Sequence, residues 1–265
     1  MSLRQSVRLI LGGVLTIVGC SSEDIVEQLG AEARYEIAIA KFREGDYLDA
    51  IEEFKIITLQ FQGSALADDA QFFMAECRYL REEYVLAAYE YEVLLRTMPT
   101  SEYVPRARYR RAICYYNLSP KSYLDQEYTR KAIDELQAYI EYHPTDSLVS
   151  DAEAKIIELR TKLAKKEYES GIIYMKMEYY KAATVYFDLV LERYHDTPFA
   201  EQALLRKAEA LMRRRRYAEA KEAIETFLAK YPTSPLLEEA QNLQREIMSN
   251  LSANQTAVSE VRSRS

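Results

Sequence analysis

Six aromatic residues in the first half of the chain occur in three pairs, and the two members of each pair are seven positions apart. The pairs are Tyr35 with Phe42, Phe72 with Tyr79, and Tyr109 with Tyr116. Residues seven apart lie on the same side of an α-helix, two turns from each other. Four polar residues are interleaved with these rings: Arg43, Glu76, Arg106 and Asn117. Such a surface suits the backbone or the terminal carboxylate of an extended peptide, so the pattern predicts a peptide-binding groove. The alternative is that some of these rings fill the joint between the two helices of a repeat.

The residues that catalysis commonly requires are sparse. The chain has two histidines, His143 and His195, and it contains no HExxH pair, no Gly-rich phosphate loop and no CxxC motif. Cys77 and Cys114 each follow a small residue by two positions, and we expect them to be buried free thiols, with a disulfide as the alternative. We therefore predict a protein that is not an enzyme and that has no cofactor and no metal site.

A pair of small residues twelve positions apart recurs along the chain and defines its repeats. The pairs are Ala38/Ala50, Ala75/Ala87, Gly171/Ala183 and Ala208/Ala220, and a further copy in third place, Ala112/Ala132, has eight extra residues. Helical hairpins of this kind cannot bury their own apolar faces, so they must stack on a neighbour. With only 7 Gly and 7 Pro in 265 residues, the pattern predicts an all-α superhelical solenoid of five helical hairpins plus a C-terminal capping helix. The first helices of such hairpins line a concave groove.

The repeats also predict the domain boundaries. We expect hairpins at about residues 31–64, 65–101, 102–146, 147–198 and 199–235, a capping helix at 236–249 and a tail at 250–265. Ser, Asn, Gln and Thr dominate the tail, which predicts disorder. The extra residues of the third repeat predict an exposed loop over residues 119–128. A long helix from about residue 150 to residue 177 is expected either to project as a docking surface or to pack on the preceding repeat.

The N-terminus has the features of an export signal. Arg4 and Arg8 precede an apolar stretch over residues 9–18 that is too short to span a bilayer. Its ending, Ile-Val-Gly-Cys, resembles the lipobox of bacterial lipoproteins, in which cleavage occurs directly before the cysteine. The resemblance implies a cleaved signal peptide at residues 1–19 and an acylated Cys20; the alternative is an ordinary signal peptide that is cleaved elsewhere.

A mature chain that begins at Cys20 is expected at a membrane. Two or more acyl chains hold a protein firmly there, and residues 20–30 would form a lipidated linker. The absence of Asp after the cysteine, where Ser21 and Ser22 follow, favours delivery to the outer membrane. Removal of residues 1–19, which include two arginines and no acid, changes the formal net charge from −7 to −9. An acidic body of this kind argues against nucleic acid as a partner.

Residues 45–54, with the sequence GDYLDAIEEF, resemble the turn and second helix of a tetratricopeptide repeat. Similar turns recur at residues 84–87 and 217–220, and the junctions at residues 194–200 and 231–236 are similar to those of periplasmic members. Five tetratricopeptide-type hairpins behind a lipobox, with a long helix after the third, resemble the BamD family of lipoproteins of the β-barrel assembly machinery.

The resemblance implies a lipid-anchored scaffold on the periplasmic face of the outer membrane. Its C-terminal repeats would bind the periplasmic domains of a BamA-type barrel protein, and its aromatic groove would receive the C-terminal segments of unfolded outer-membrane proteins, which often end in an aromatic residue. The alternative is another periplasmic scaffold with similar repeats, for example one that coordinates cell-envelope processes or division.

The candidates for docking of the barrel protein lie in the C-terminal half. They are Tyr174, Tyr179, Tyr186, Arg193, Arg213 and Arg214. The arginines of the run at residues 213–216 stand where a hairpin is expected to turn. They fit either a solvated turn or a contact with an acidic partner or an anionic lipid.

Overall fold

The computed structural model describes residues 29–264, with side chains over residues 29–254, and every secondary-structure element in that range is an α-helix. Its eleven helices are α1 (Ala31–Glu44), α2 (Tyr47–Gln60), α3 (Ala67–Leu80), α4 (Tyr84–Thr97), α5 (Val104–Leu118), α6 (Glu127–Tyr142), α7 (Val149–Lys176), α8 (Tyr180–Arg193), α9 (Pro198–Arg213), α10 (Tyr217–Lys230) and α11 (Leu237–Arg264). The predicted all-α fold is confirmed. The predicted signal peptide at residues 1–19, the acylated Cys20 and most of the linker at 20–30 lie outside the described residues.

The helices pair into five hairpins, α1/α2, α3/α4, α5/α6, α7/α8 and α9/α10, and each helix packs against the next one along the chain. All ten small residues that define the repeats are buried. Small side chains let two helix backbones approach closely. In the fourth hairpin, a Cβ atom added to Gly171 would lie 2.5 Å from Cε1 of Phe187, so this contact has no room even for a methyl group.

Four of the hairpins turn through a residue in the left-handed region. Gly45 has a φ of 88°, and Glu82, Glu178 and Arg215 have φ values of 60°, 61° and 62°. Each stands two residues before the tyrosine that begins the second helix. The N–H of the next residue donates to a carbonyl oxygen five positions earlier, as Asp46 does at 2.9 Å in the first hairpin. This bond ends the first helix and reverses the chain.

The third hairpin has a longer connection, as the sequence predicted. Residues 119–126 join α5 to α6, and Tyr123 within them is 70% exposed. The predicted exposed loop is therefore confirmed, although α6 begins before residue 128.

Helix α7 is 28 residues long and is packed along its whole length. Its N-terminal half places Leu159 and Leu163 in a core cluster with residues of α5 and α6. Its C-terminal half packs Tyr168 and Ile172 against α8 and α9. Of the two expectations for this helix, projection beyond the stack is therefore wrong and packing on the preceding repeat is correct, because apolar residues continue along the helix and α5, α6, α8 and α9 cover them. Helix α7 joins the third hairpin to the fourth.

The array closes with α11, whose residues Ala240 and Ile247 are buried in a cluster with residues of α9 and α10. The expected capping helix is present. It continues to Arg264, where the composition had predicted a disordered tail from residue 250 onward. Residues 250–264 contain no Gly or Pro, so nothing in this segment ends the helical hydrogen bonding.

Both predicted free thiols are confirmed in the described residues. Cys77 on α3 and Cys114 on α5 are buried and form no disulfide. Burial raises the pKa of each thiol to about 12, which keeps both in the unreactive protonated form at neutral pH.

Candidate functional site

The first helices of the hairpins, α1, α3, α5 and α7, form a surface that we call the first-helix face, and the first three of them contain the predicted groove residues. On its N-terminal part, Asp69 of α3 accepts a hydrogen bond from Tyr35 of α1 at 3.4 Å and one from Tyr103, just before α5, at 2.7 Å. Burial and the Asp69 carboxylate raise the pKa of Tyr35 to about 12. One carboxylate thus connects the first three hairpins.

The same type of contact joins α5 to α7. Tyr116 donates to Glu158 at 2.6 Å, and Tyr109 donates to Asp151. The hydrogen bond to Glu158, together with burial, raises the pKa of Tyr116 to about 12. The Tyr109 hydroxyl holds the pKa of Asp151 below its ordinary value. Lys155 lies 5.0 Å from the centre of the Tyr116 ring. The two tyrosines and their two acceptors are each seven residues apart, so the contacts repeat two helical turns along the face.

A buried carboxylate lies between α3 and α5. Glu76 is 4% exposed and accepts a hydrogen bond from Tyr91. Its carboxylate forms an ion pair with Arg110, Nε to Oε1 at 3.0 Å, and a longer one with Arg106, Nη2 to Oε2 at 3.9 Å. The Arg106 side chain is still 55% exposed, so it can contact a ligand from this position. Arg110 was not among the predicted groove residues, because its partner Glu76 is 34 residues away in the sequence.

The prediction that Phe72 lines the groove is wrong, because its side chain is fully buried. The ring of Tyr103 stacks on it with centres 4.4 Å apart, and the Arg106 guanidinium lies 4.9 Å from its centre. Phe42 is half-buried against Tyr47 and Phe73, with ring centres 5.8 and 5.3 Å apart. These two phenylalanines fill joints between helices, which was the alternative interpretation of the pattern.

The remaining groove candidates keep polar atoms at or near the surface. Asn117 is exposed, and its Nδ2 donates to the Tyr79 hydroxyl at 3.3 Å. The Arg110 guanidinium lies 4.7 Å from the centre of the Tyr79 ring. Arg43 is exposed near the end of α1. The first-helix face therefore presents tyrosine edges, amides and guanidinium groups, with its phenylalanines packed inside.

The tip of the fourth hairpin exposes apolar side chains that we call the tip patch: Ile173, Met177, Tyr179 and Val185. They are 56%, 55%, 59% and 55% exposed. A shallow cavity of about 410 Å³ is lined by two of them, together with Lys181 and Ala182. Only Tyr179 was predicted as a docking residue. The other three were missed because an apolar residue in a helical pattern predicts burial and does not show which face lacks a neighbour.

Two other tyrosines predicted for docking support this tip. Tyr174 of α7 and Tyr186 of α8 are half-buried, and their rings stack with centres 5.2 Å apart at an angle of 17°. They fix α7 against α8, and neither is an exposed docking residue.

The predicted arginines have different surroundings. Arg193 and Arg213 are exposed, whereas Arg214 is half-buried and donates from Nη1 to Thr184 Oγ1 at 3.2 Å. The Arg193 carbonyl oxygen accepts a hydrogen bond from Arg160 at 2.8 Å. Arg214 therefore ties the turn after α9 to α8, whereas Arg193 and Arg213 present exposed charge.

A further cavity of about 470 Å³ lies beside the loop of the third hairpin and was not predicted as a site. It is lined by Lys121, Ser122, Tyr123, Glu158, Thr161, Lys162, Lys165, Glu169 and Phe199. We call it the loop pocket. The eight extra residues of the third repeat were the signal in the sequence that pointed to this region. Because Glu158 also accepts the Tyr116 hydrogen bond, the loop pocket is continuous with the first-helix face.

Within residues 29–264, no three His, Cys, Asp or Glu side chains come close enough together to hold a metal ion. None of the helices in that range combines the length and the apolar character needed to cross a membrane.

Stacked helical hairpins with exposed binding faces define the class of tetratricopeptide-repeat scaffolds, and the tetratricopeptide repeat family matches residues 202–234. The family described as YfiO, outer membrane lipoprotein, matches residues 27–215. The chain belongs to this family. The predicted relationship to BamD is confirmed, and the family consists of assembly factors and is not a catalytic one.

Curated relatives with the name outer membrane protein assembly factor BamD match most of the chain. The protein of Rickettsia prowazekii is 28% identical over 233 residues, which cover 86% of this chain and 91% of that protein. The protein of Vibrio cholerae is 22% identical over 215 residues, which cover 76% and 89%. Among solved structures, a thermophilic tetratricopeptide-repeat protein of Thermus thermophilus covers 84% of this chain and 99% of its own, at 14% identity and a TM-score of 0.35.

Proposed function

We propose that this outer-membrane assembly factor is a non-catalytic scaffold that holds two partners: the periplasmic domains of a BamA-type barrel protein and segments of unfolded outer-membrane proteins. The observation that carries the proposal is the tip patch, a set of four large apolar side chains left exposed on a chain of the BamD family. Exposed apolar surface commonly marks a protein-binding site, and two of these side chains, Tyr179 and Val185, line one cavity.

The scaffold works at the periplasmic face of the outer membrane, anchored by acyl chains on Cys20 after removal of residues 1–19. The lipobox-like ending at Cys20 and the match to a family of outer membrane lipoproteins support this location. Each buried CH₂ of a lipid chain contributes about 0.8 kcal/mol to membrane binding, so several chains keep the scaffold on its membrane.

The tip patch is assigned to the barrel protein. It combines an aromatic residue with aliphatic and Met side chains, a composition that suits the centre of a protein interface. The exposed Arg213 ends α9 on the same side of the array as this tip and supplies charge at its edge, whereas the exposed Arg193 ends α8 at the opposite end of the hairpin. The stacked, half-buried pair Tyr174 and Tyr186 joins the end of α7 to α8, and a fixed hairpin lowers the entropic cost of docking.

The first-helix face is assigned to unfolded substrate. Its half-buried tyrosines, Tyr35, Tyr79, Tyr109 and Tyr116, offer ring edges to apolar side chains. The exposed Asn117 and Arg106 are placed to bond an extended backbone. Many weak contacts of this type tolerate different sequences, as a receptor for many substrates requires.

A matched pair of substitutions tests the assignment of the tip patch. Val185 and Val85 are 55% and 54% exposed on the second helices of two different hairpins. We expect Val185→Glu to abolish recovery of the BamA-type barrel in a pull-down from detergent-solubilised outer membranes, because a carboxylate at an apolar contact loses its hydration. Val85→Glu should leave recovery unchanged. Equal recovery with both variants would exclude the tip patch as the docking surface.

A further inference from the structure

A groove of about 640 Å³ lies between α2 and α4, the second helices of the first two hairpins. We call it the second-helix groove. Met74 of α3 lines it and is 5% exposed, whereas Leu59 of α2 and Tyr89 of α4 are 63% and 60% exposed. Met74 lies on the side of α3 away from Glu76 and Tyr79, so the groove is separate from the first-helix face.

The position of Met74 carries a different type of residue in two other hairpins. Met74 stands directly before the first small residue of its repeat, as Arg111 does in the third hairpin and Lys207 in the fifth. Arg111 forms ion pairs with carboxylates of α4 and α6. Lys207 Nζ pairs with Asp188 of α8 at 2.6 Å. These cations tie down the flanking second helices. Met74 has no charge for such a bridge, and the second-helix groove stays open.

Polar side chains in the groove are already bonded within the protein. Thr58 and Thr97 each donate to a carbonyl oxygen of their own helix, at 3.1 and 2.7 Å. Gln71 Nε2 donates to the backbone oxygen and to the carboxylate of Glu90, both at 2.9 Å. An extended peptide would therefore bury backbone groups here without partners, whereas a helix satisfies its own. The groove suits a helix.

The charges that remain free at the groove are positive. Lys55 lines it from α2, and Arg96 stands in the last turn of α4; both are exposed. Among the described residues, neither has a carboxylate within 4 Å. The Arg78 guanidinium in the lining is bonded to Glu83 at 2.7 Å. Free cations on a chain of net charge −7 attract the carboxylates of a partner.

We propose that the second-helix groove binds an amphipathic, acidic helix of another protein. The apolar face of that helix packs against Leu59, Tyr89 and Met74, and its carboxylates pair with Lys55 and Arg96. Both walls are helices of 14 residues, so a partner helix of about four turns fills the groove. The site is a third partner surface, distinct from the tip patch and from the first-helix face.

The test uses the full chain and three synthetic peptides of about four helical turns. The first has Leu at every third or fourth position and Glu on one flank, the second has Lys in place of Glu, and the third is a scrambled form of the first without helical periodicity. In fluorescence anisotropy we expect the first to bind at least about tenfold more tightly than the others. Lys55→Gln combined with Arg96→Gln should remove its advantage over the lysine peptide.

The control for this double variant is Lys181→Gln combined with Arg193→Gln. Both residues are exposed on α8, another second helix, and among the described residues neither has a carboxylate within 4 Å. This control should bind the acidic peptide as the native chain does. Equal binding of the acidic and lysine peptides to the native chain would overturn the proposal.

Apolar variants locate the bound helix. Leu59→Glu should abolish binding of the acidic peptide, whereas Val85→Glu, at a residue of α4 that is 54% exposed and outside the lining, should not change it. Met74→Arg copies Arg111 and should also weaken binding, and thermal unfolding of each variant checks folding. Binding that survives Leu59→Glu would mean that the peptide contacts another surface, and the proposal would be wrong.

Two further measurements separate the alternatives. If the native chain binds palmitate but not the acidic peptide, and Leu59→Glu removes palmitate binding, the groove holds an acyl chain and the proposal is wrong. In the pull-down described above, Leu59→Glu should recover the BamA-type barrel as the native chain does. The tip patch and the second-helix groove therefore fail or succeed independently.

Discussion

Single contacts between consecutive hairpins determine which residues the fold accepts. Gly171 on α7 lies against the fully buried ring of Phe187 on α8, and an added Cβ would approach three atoms of that ring to between 2.5 and 2.9 Å. Three tyrosines of the first-helix face, Tyr35, Tyr109 and Tyr116, act in a different way, through one hydroxyl and one carboxylate each. The first type of contact is steric and independent of pH, whereas the second depends on protonation.

We expect Gly171→Ala to lower the free energy of unfolding by about 1–3 kcal/mol, because the new methyl group displaces a packed ring. This cost exceeds the gain of about 1 kcal/mol that Ala usually brings to a helix interior. Urea denaturation followed by circular dichroism measures the change. Gly63→Ala is the control, since nothing lies within 4 Å of its added Cβ. Combining Gly171→Ala with Phe187→Leu should recover part of the loss, and an additive further loss would show that the ring is not the cause.

A second prediction concerns alkaline pH. The pKa values of Tyr35 and Tyr116 rise from 10.0 to about 12 on folding, so the folded chain binds these protons more tightly than the unfolded chain. Their contribution to stability is complete below pH 10 and declines as the pH rises towards 12. The urea concentration at the midpoint of unfolding should fall between pH 10 and pH 12. In Tyr116→Phe this decrease should be smaller, because one of the two hydroxyl groups is absent. Tyr123→Phe, at an exposed hydroxyl, should behave as the native chain.

At the scale of helices and turns, the sequence predicted what depends on neighbours within one repeat. The paired small residues, twelve positions apart in four repeats and twenty apart in the third, located all five hairpins because close helix packing requires small residues at fixed places. It did not predict the packing of α7 or the extent of α11, because a helical pattern does not identify the element that covers it. The burial of Phe72 was missed for the same reason, since Tyr103 covers it from the next hairpin. The Tyr–carboxylate contacts join residues that are 34 or 42 positions apart in the sequence. They could not be predicted, because they depend on how one hairpin stacks on the next.

The hairpin turns provide a prediction at this scale. Glu82 and Arg215 occupy the left-handed conformation that Gly45 adopts in the first hairpin, and a side chain there costs roughly 1 kcal/mol. We expect Glu82→Gly to raise the free energy of unfolding by about 0.5 kcal/mol. The substitution removes the strain of the left-handed conformation, but glycine also gives the unfolded chain more conformational freedom, which offsets part of the gain. Gly45→Ala should lower it by about 1 kcal/mol. Arg81→Gly is the control, because Arg81 lies one residue earlier and has an ordinary φ of −84°. This substitution should lower the free energy of unfolding. If it raised the free energy of unfolding as much as Glu82→Gly, relief of strain in the turn could not be the explanation.

The whole molecule is a row of hairpins, each stabilised by the next. Five core clusters follow one another from α1 to α11, and each is shared between adjacent elements. Stability in such an array is close to a sum of hairpin and interface contributions. The tip patch and the first-helix face can therefore be altered separately, which a scaffold with two partners requires.

The last cluster tests this description of the array. Ala240 and Ile247 of α11 cover the core of the fifth hairpin, where Phe227 and Ile224 are fully buried. A chain that stops after Leu236 should lose at least about a hundredfold of hydrogen-exchange protection in α10, because uncovering buried aliphatic side chains costs several kcal/mol. Protection in α1 and α2 should not change, since coupling acts between neighbouring hairpins. A chain that stops after Asn254 should match the native protection throughout. A uniform loss from α1 to α10 in the shorter chain would mean that the array unfolds as one unit, and that its two partner-binding surfaces are not independent.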